Sequence, residues 1–489
     1  MTIRIEHSDA LDLLRSLEDC SVDSLVSDPP SGISFMGKAW DRHDAYQPQT
    51  DKGRDLMRFG SALLAPWEVG FCAFIVDVFS QALRVIKPGG HGLIWALPRT
   101  SDLTALGLRV AGWEVRDSVH HIFGSGFPKS ADISKAIDKA AGAEREVLHE
   151  KVARVGFDPH GEGGGGWQSG VVKTSKPATP EAQRWEGWGT ALKPGHEVWW
   201  LIRKPVCGTI AGNVQEWGTG GINVDGCRVG TTEKPEDIYN GQTGPIGGTG
   251  AYGGTDQSIH ATGHEGGRWP PNVLLTHSAE CGSDCVDGCP VEEMGAQSGP
   301  SMSLGGRTTN ISRGRRSFGL GQDLSPRSVK GDPGFGDTGT AARYFPQFRY
   351  SPKPARAERE AGLDHLEEAQ RDEGRKDGDP GGDNPRNRGT MKVKNIHPTV
   401  KSIDLMRWLT RLVTPPGGLV LDPFTGSGTT ALACVHEGFS FIGSEQSEEY
   451  VEIARARVDH ADPAGAQTRR AEQGLARPPA GSEGQGRLF

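Results

Sequence analysis

The chain has 489 residues, and its 54 Lys and Arg against 62 Asp and Glu give a formal net charge of −8 at pH 7, which argues against indiscriminate coating of nucleic acid while leaving room for a local basic face. Its length suits two or three domains, and its 70 Gly and 32 Pro, about a fifth of the residues, point to long irregular stretches. No window reaches the roughly 18 uncharged apolar residues of a membrane-spanning helix, and the start, Met1 to Ala10, lacks an apolar run suited to a secretory signal, so the expectation is a soluble, cytoplasmic protein with no membrane partner.

In chain order, Ile3 to Glu6 reads as a short strand, Ala10 to Leu17 as an amphipathic helix, and Val22 to Val26 as a strand that stops at Asp28-Pro29-Pro30. A helix over about Trp67 to Ile86 runs into the turn Lys87-Pro88-Gly89-Gly90 and the apolar strand Gly92 to Leu97. Ser101 is placed to cap the next helix, and Trp113 to His120 alternates like a strand. Near the other end, Thr399 to Val413 is helical in pattern, Leu419 to Asp422 is a buried-type strand, and Gly426-Ser427-Gly428 turns the chain into a helix from about Thr429 to Glu437. Phe439 to Ser444 returns as a strand and Glu448 to Val458 closes as a helix. This βαβ rhythm implies a largely parallel α/β sheet. Each half has too few strands to cover both faces of such a sheet, so the two halves are expected to form one sheet together.

The expected organisation is an N-terminal part of the sheet domain at 1–124, an insert at 125–356, a charged linker at 357–395, the C-terminal part of the sheet domain at 396–460, and a disordered tail at 461–489. The insert is rich in Gly, Pro and Trp, with low-complexity patches at Gly161 to Gly166 and Gly244 to Gly254. Its tryptophans Trp185, Trp188, Trp199 and Trp200 read as core of the insert.

Two turns carry the chemistry. Asp422-Pro423-Phe424-Thr425-Gly426-Ser427-Gly428-Thr429-Thr430 follows a strand and opens a helix, where glycines let a ligand approach the backbone. Nineteen residues after Gly426, Glu445 ends the next strand, where a carboxylate can accept both hydroxyls of a ribose. An adenosine-containing cofactor fits. Gly-x-Gly-x-x-Ala alone also fits a nicotinamide site, whereas the absence of a Lys after the glycines disfavours a nucleotide triphosphate loop. Asp28-Pro29-Pro30 ends a strand at the ligand-binding edge of an open sheet. Its prolines remove two backbone donors, so the turn offers a carboxylate and bare carbonyls, an acceptor-only pocket suited to an exocyclic amino group with two N–H donors. An isolated Asp-Pro-Pro can equally be an Asp capping a turn.

Together the two turns resemble the S-adenosylmethionine-dependent DNA amino-methyltransferases of the permuted β class, the N6-adenine and N4-cytosine family, in which the catalytic motif precedes the cofactor motif and a target-recognition insert separates them. Further matches are Ser8-Asp9, Phe35 to Asp41, and His397-Pro398-Thr399-Val400-Lys401. Gly124 to Ser130 and Ala191 to Glu197 resemble segments of a phage and mobile-element subfamily. The resemblance covers residues 1 to about 460 and implies a Rossmann-like sheet with a large irregular inserted target-recognition domain. It implies that Asp28, Pro29 and Pro30 are catalytic, that Asp422, Phe424, Gly426 and Gly428 surround the methionine part of S-adenosylmethionine, and that Glu445 takes the ribose. Thr399 and Lys401 would complete the pocket from the preceding helix, with Asp9, Pro423 and Thr429 in the same cofactor site. Ser31 departs from the family, which has an aromatic residue there to stack on the flipped base; either Phe35 substitutes or the enzyme is weakened. Asp rather than Ser before the prolines favours N6-adenine over N4-cytosine. The chain contains no Pro-Cys dipeptide of the kind that C5-methylation of cytosine uses.

His277, Cys281, Cys285 and Cys289 recur at spacings found in structural zinc sites. Gly282, Gly288 and Pro290 favour a knuckle-like loop over a helix there. Unpaired thiols beside a surface histidine are the bland alternative, and Cys207 and Cys227 are alternative ligands. From Ser301 to Arg356 there are ten Lys and Arg against three Asp and Glu, interleaved with Phe318, Phe335, Tyr344, Phe345, Phe348 and Tyr350. Basic residues contact phosphates and aromatics stack on bases, which makes this stretch, with Arg313, Arg315 and Arg316, the candidate DNA contact. The implied partner is double-stranded DNA, and the resemblance leaves room for a homodimer and a partner restriction endonuclease. Competing readings are an RNA or protein-amide methyltransferase, and a DNA-binding relative weakened in catalysis.

Overall fold

The computed structural model describes residues 1–33, 41, 46–124, 130–158, 166–230, 267–278, 281, 284–302, 338–348, 356–370 and 392–466. From the N terminus, β1 (Ile3–His7), α1 (Ala10–Ser16) and β2 (Ser24–Ser27) lead to α2 (Asp51–Gly60), α3 (Pro66–Val85), β3 (His91–Ala96), α4 (Ser101–Ala111) and β4 (Glu114–Ile122). Next come α5 (Ile133–Ala140), the antiparallel pair β5 (Val147–Asp158) and β6 (Gly166–Ser175), α6 (Pro180–Arg184), β7 (His196–Arg203) and α7 (Ile210–Trp217). Then follow β8 (Val273–Thr276), α8 (Pro290–Ser298), β9 (Ser301–Met302), β10 (Thr338–Gly339) and β11 (Gln347–Phe348). The chain continues through α9 (Arg356–Glu360), β12 (Ala369–Gln370), β13 (Lys392–Val393), α10 (Ile403–Val413), β14 (Leu419–Asp422), α11 (Thr429–Glu437), β15 (Ser440–Glu445) and α12 (Glu448–Ala461).

Contacts divide the chain into two units, the first of Met1–Arg116, Ser125–Gly221 and Ser351–Phe489, the second of Asp117–Gly124 and Ile222–Tyr350. In the first unit the strand order is β1-β15-β14-β2-β3-β7. All neighbours are parallel except β7, which runs antiparallel to β3 with Ile94 opposite Trp200. The expectation of one sheet built from both halves is met, because β1 pairs with β15 and β2 with β14.

The largest apolar cluster packs α3 on this sheet. Phe71, Ile75, Val78, Phe79 and Ala82 of α3 meet Leu25, Ile94, Leu421 and Ile442 from four strands of both halves. Burying each large side chain contributes roughly 1.5–3 kcal/mol. α3 is apolar on nearly all sides because α1, α2 and α4 also pack against it. At the start of the strands, Asp23 joins the halves again: its Oδ1 lies 2.6 Å from Lys87 Nζ and its Oδ2 accepts the Leu419 N–H at 2.7 Å. Beside it the Ser24 and Thr414 hydroxyls lie 2.8 Å apart.

Several expectations are corrected. α10 begins at Ile403 with Ser402 as its N-cap, so Thr399 and Lys401 precede the helix; the apolar face starts only at Leu405, and Pro398 disfavours helical backbone before it. Thr100, not Ser101, is the N-cap of α4, and Ser101 Oγ donates to Pro98 O instead. β7 lies within the expected insert yet is a strand of the sheet. Its Trp199 is fully buried, as suits a near-continuous apolar run covered on both faces, whereas Trp185 and Trp188 are exposed and meet edge to face at 5.2 Å. The charged stretch read as a linker is ordered at its start. Glu358 accepts the Ile403 N–H, buried Arg359 and Asn395 bond to each other's backbone carbonyls, and Leu363 is fully buried. Glu358 and Arg359 are thus bonded within the fold, a pairing that composition does not reveal. The low-complexity patches at 161–165 and 244–254, and tail residues 467–489, lie outside the described residues.

In the second unit, His120–Ile122 of β4 pair in parallel with β8, which pairs in parallel with β11. Among the described residues its apolar centre has Leu275, Cys289, Val291 and Ala342 buried, with Ile122, Val273, Cys281 and Cys285 packed on them. Among the described residues no helix is long and apolar enough to cross a membrane.

The role of Asp23 gives a first prediction. Asp23→Ala leaves the Leu419 N–H and the Lys87 ammonium without their acceptor, and urea denaturation should show a loss of about 1–3 kcal/mol.

Candidate active site

β2 and β14 lie side by side and parallel, so their carboxyl ends deliver Asp28-Pro29-Pro30 and the glycine turn to the same edge of the sheet. Ser27 Oγ donates to Asp422 Oδ1 at 2.7 Å across this junction. The same oxygen accepts the Phe424 N–H at 3.1 Å, and Oδ2 accepts Thr430 Oγ1 at 2.6 Å. Asp422 is 2% exposed. The resemblance sets it around the cofactor's methionine, but its carboxylate is turned inward and holds the loop. Burial raises its pKa to about 6 against the pull of those three donors, with the Asp28 charge adding to the rise.

The loop that Asp422 holds has two left-handed glycines. Gly426 sits at φ +52°, and an added Cβ would lie 2.7 Å from His397 Nε2; Gly428, at φ +81° as the N-cap of α11, would meet Ala454 Cβ at 2.9 Å. Side chains are excluded at both positions by strain and by packing. Thr429 is buried in the first turn of α11. Glu445, at the end of β15, accepts the Gly426 N–H at 3.0 Å through Oε2 and the Ser447 N–H at 2.8 Å through Oε1. Burial raises its pKa, moderated by the Ser447, Gly426 and Gln446 N–H groups. Each carboxylate oxygen retains acceptor capacity after one such bond. Asp9, just past β1, caps α1 through Leu11 N at 2.8 Å and accepts from the Gln446 amide. Pro423 O accepts Ser444 Oγ at 3.0 Å, and the Phe424 ring lies 5.9 Å from that of Phe74. Behind the loop, fully buried Arg457 donates to Ser427 O at 2.6 Å.

At the other turn Pro29 is buried and Asp28 keeps 20% of its side chain exposed. Lys401 Nζ lies 3.1 Å from Asp28 Oδ2, 3.8 Å from Glu197 Oε2, and 4.1 Å above the Trp95 ring. The resemblance groups Lys401 with the cofactor residues, whereas its partners here are the two carboxylates and the indole. Burial raises the Asp28 pKa, opposed by Lys401 and reinforced by Glu197. For Lys401 burial acts to lower the value, and Asp28 and Glu197 outweigh it, so the net shift is upward and the ammonium is held charged. Thr399 is exposed, and its N–H reaches His397 Nδ1 at 3.4 Å. Ser31 serves the turn itself. Its hydroxyl lies 3.3 Å from Asp41 Oδ2, its carbonyl accepts Thr100 Oγ1 at 2.9 Å, and Asp41 also accepts the Gly32 N–H at 2.6 Å. Phe35 lies outside the described residues.

Sequence reasoning missed Glu197, Trp95 and Arg457 as parts of this site. Only the segment ending in Glu197 carried a signal, through its likeness to a subfamily. Arg313, Arg315 and Arg316 lie outside the described residues. In the second unit the ligand atoms of His277, Cys281, Cys285 and Cys289 come together within 4.8 Å. Cys227, buried elsewhere in that unit, and exposed Cys207 of the first unit are not part of the group.

Residues 267–456 match the DNA methylase family of N6- and N4-acting enzymes. Among curated proteins, it is 39% identical over 77 residues to the DNA adenine methyltransferase YhdJ of Escherichia coli K12, and 38% identical over 72 residues to the type II methyltransferase M2.MboI of Moraxella bovis. These alignments take in 16% and 15% of this chain, and the chain spans about a quarter of each relative, 26% in both cases. Among solved structures, the cytosine-N4-specific PvuII DNA methyltransferase aligns over 94% of this chain and 86% of its own, at 11% identity and a TM-score of 0.39. The matched segment includes the glycine turn, Lys401 and Glu445, and Asp28-Pro29-Pro30 lies before it.

Asp422 supplies a prediction for this segment. Its folded-state pKa, about 6, lies above the ordinary 3.8, so across that interval the folded protein holds a proton that the unfolded chain has released, and stability falls as pH rises. Asp422→Asn keeps an acceptor for Ser27 and Phe424 and removes the titration. In thermal unfolding followed from pH 4 to 8, the variant should lack this part of the decline and match or exceed the wild type above about pH 6.

Proposed function

We propose that the protein transfers a methyl group from S-adenosylmethionine to the exocyclic amino group of a base flipped out of double-stranded DNA, with N6 of adenine the preferred target. The observation that carries this reading is the junction of β2 and β14, which sets an acceptor-only turn beside a side-chain-free glycine turn. The matched family and the adenine-methylating relative support it. The second unit, with the basic and aromatic stretch from Ser301, is the part we assign to target recognition. A homodimer and a partner endonuclease belong to the same reading and are tested by sedimentation and by co-purification.

The residues of the glycine turn suit the cofactor. Gly426 and Gly428 leave the backbone bare at a helix start, and Glu445 offers its carboxylate at the end of the neighbouring strand. The cofactor supplies an electrophilic methyl group on a sulfonium. Asp28 and the carbonyl of Pro29 accept the two N–H groups of the target, which draws the nitrogen lone pair out of conjugation with the ring. Among the described residues Asp28 Oδ1 accepts no hydrogen bond, while Oδ2 is taken by Lys401. Were the nitrogen to take that methyl group, the carbon–sulfur bond would break with its electron pair going to sulfur and the nitrogen would shed one proton, for which Asp28 would be the acceptor within reach. Lys401 opposes the upward shift that burial imposes on Asp28, and the Glu197 carboxylate lies 3.8 Å from the same ammonium. Alignment of the two reactants does the rest, since no covalent enzyme intermediate is needed.

Base-resolved sequencing and nucleoside mass spectrometry of DNA from a host expressing the protein should reveal N6-methyladenine in one sequence context. N4-methylcytosine instead would change the target, and unmodified DNA would overturn the proposal. Asp28→Ala should abolish transfer of labelled methyl groups while calorimetric affinity for S-adenosylmethionine stays within a few-fold of wild type. Lys401→Met removes the charge that opposes the upward shift of Asp28, so the acid limb of the kcat/KM profile should move to higher pH and activity at neutral pH should fall about 10- to 100-fold. An unmoved acid limb would separate Lys401 from the ionisation of Asp28.

A further inference from the structure

We infer that His277, Cys281, Cys285 and Cys289 bind one zinc ion that staples the second unit together. The four residues come from three kinds of local structure. β8 ends at Thr276 and hands over His277; Cys281 and Cys285 lie in the following loop; and Cys289 is the N-cap of α8, with Pro290 in its first turn. Nothing in a conventional apolar centre calls for three thiols and an imidazole to converge, yet their ligand atoms all lie within 4.8 Å of one another. All the cysteines are free thiols, so the convergence is not that of a disulfide.

The spacing fits a tetrahedron. Zinc bonds of about 2.3 Å to sulfur and 2.0–2.1 Å to nitrogen require edges of roughly 3.8 Å between sulfurs and 3.6 Å between nitrogen and sulfur. His277 Nδ1 lies 3.3 Å from Cys285 Sγ and 3.8 Å from Cys289 Sγ, on either side of that edge length. The Ser278 N–H donates to Cys289 Sγ at 3.4 Å, the kind of outer bond that orients a thiolate ligand. Loss of three thiol protons on binding would leave a neutral imidazole and three thiolates around the dication, a site of net charge −1.

The location gives the ion its purpose. The His277 N–H bonds to Phe348 O of β11, so the cluster ties β8 and β11 to the start of α8. Among the described residues the apolar centre it borders buries Leu275, Cys289, Val291 and Ala342, and a metal link at its edge adds binding free energy to the stability of the folded unit. The inference does not depend on methyl transfer, since none of the four residues belongs to the chemistry assigned to Asp28.

The test uses full-length protein without an affinity tag. Elemental analysis should find about one zinc per chain, and replacement by cobalt should give the intense visible d–d bands and thiolate charge-transfer absorption of a tetrahedral three-sulfur, one-nitrogen site. Cys285→Ser should remove the ion or alter that spectrum. It should also expose the second unit to limited proteolysis at lower temperature, with S-adenosylmethionine affinity unchanged. Protein that is folded, metal-free and unable to give the cobalt spectrum would overturn the inference, as would a disulfide among the three cysteines or iron in place of zinc. Wild-type spectroscopy decides the matter even if the variant fails to fold.

Discussion

The hydrogen bond from Ser27 to Asp422 joins residues from opposite ends of the chain, and the candidate site depends on it. On one side of that bond the chain leaves β2 into the Asp-Pro-Pro turn; on the other it leaves β14 into the glycine turn. A ligand bound at either turn meets the other because the two strands are neighbours. Holding a buried carboxyl there costs stability at neutral pH, and three donors partly offset the cost. The arrangement trades some folding free energy for a fixed distance between the two turns.

The second organising element is electrostatic. Lys401 is 13% exposed and stands between Asp28 and Glu197 above the Trp95 ring. A buried ammonium alone would be driven toward its neutral form, and two carboxylates around one lysine reverse that tendency. Two carboxylates thus face one ammonium at the end of β2. Glu197 belongs to β7, which runs antiparallel to β3, so this strand also brings a carboxylate to within 3.8 Å of Lys401.

Much of this was legible from the order of residues. The strands around Ile3, Leu25, Leu93 and Leu421 declared themselves by short apolar runs ending in turn residues. Gly426 and Gly428 were readable because a strand, two glycines and a helix follow in sequence. β7 was not readable as part of the sheet: the run Val198 to Ile202 lies in a Gly- and Trp-rich region, and its partner β3 is about a hundred residues earlier. The partners of Lys401 were hidden for the same reason, since one of them sits on β7. The inward turn of Asp422 depends on Ser27, 395 residues away, and no local pattern encodes such a contact. Thr399 and Lys401 fell on an extended approach to α10 because helical periodicity does not mark its own first residue.

The interleaving of strands has a consequence for biosynthesis. Among the described residues β1 has one neighbour, β15, and β2 has β14 on one side, so two strands made early wait for two made much later. Until about residue 445 has emerged, β1 lies unpaired and one edge of β2 stays open, a state in which exposed strand edges invite association with other chains. An interrupted translation product would therefore hold the complete Asp-Pro-Pro turn and none of the glycine turn. The two turns come side by side only once β14 has paired with β2.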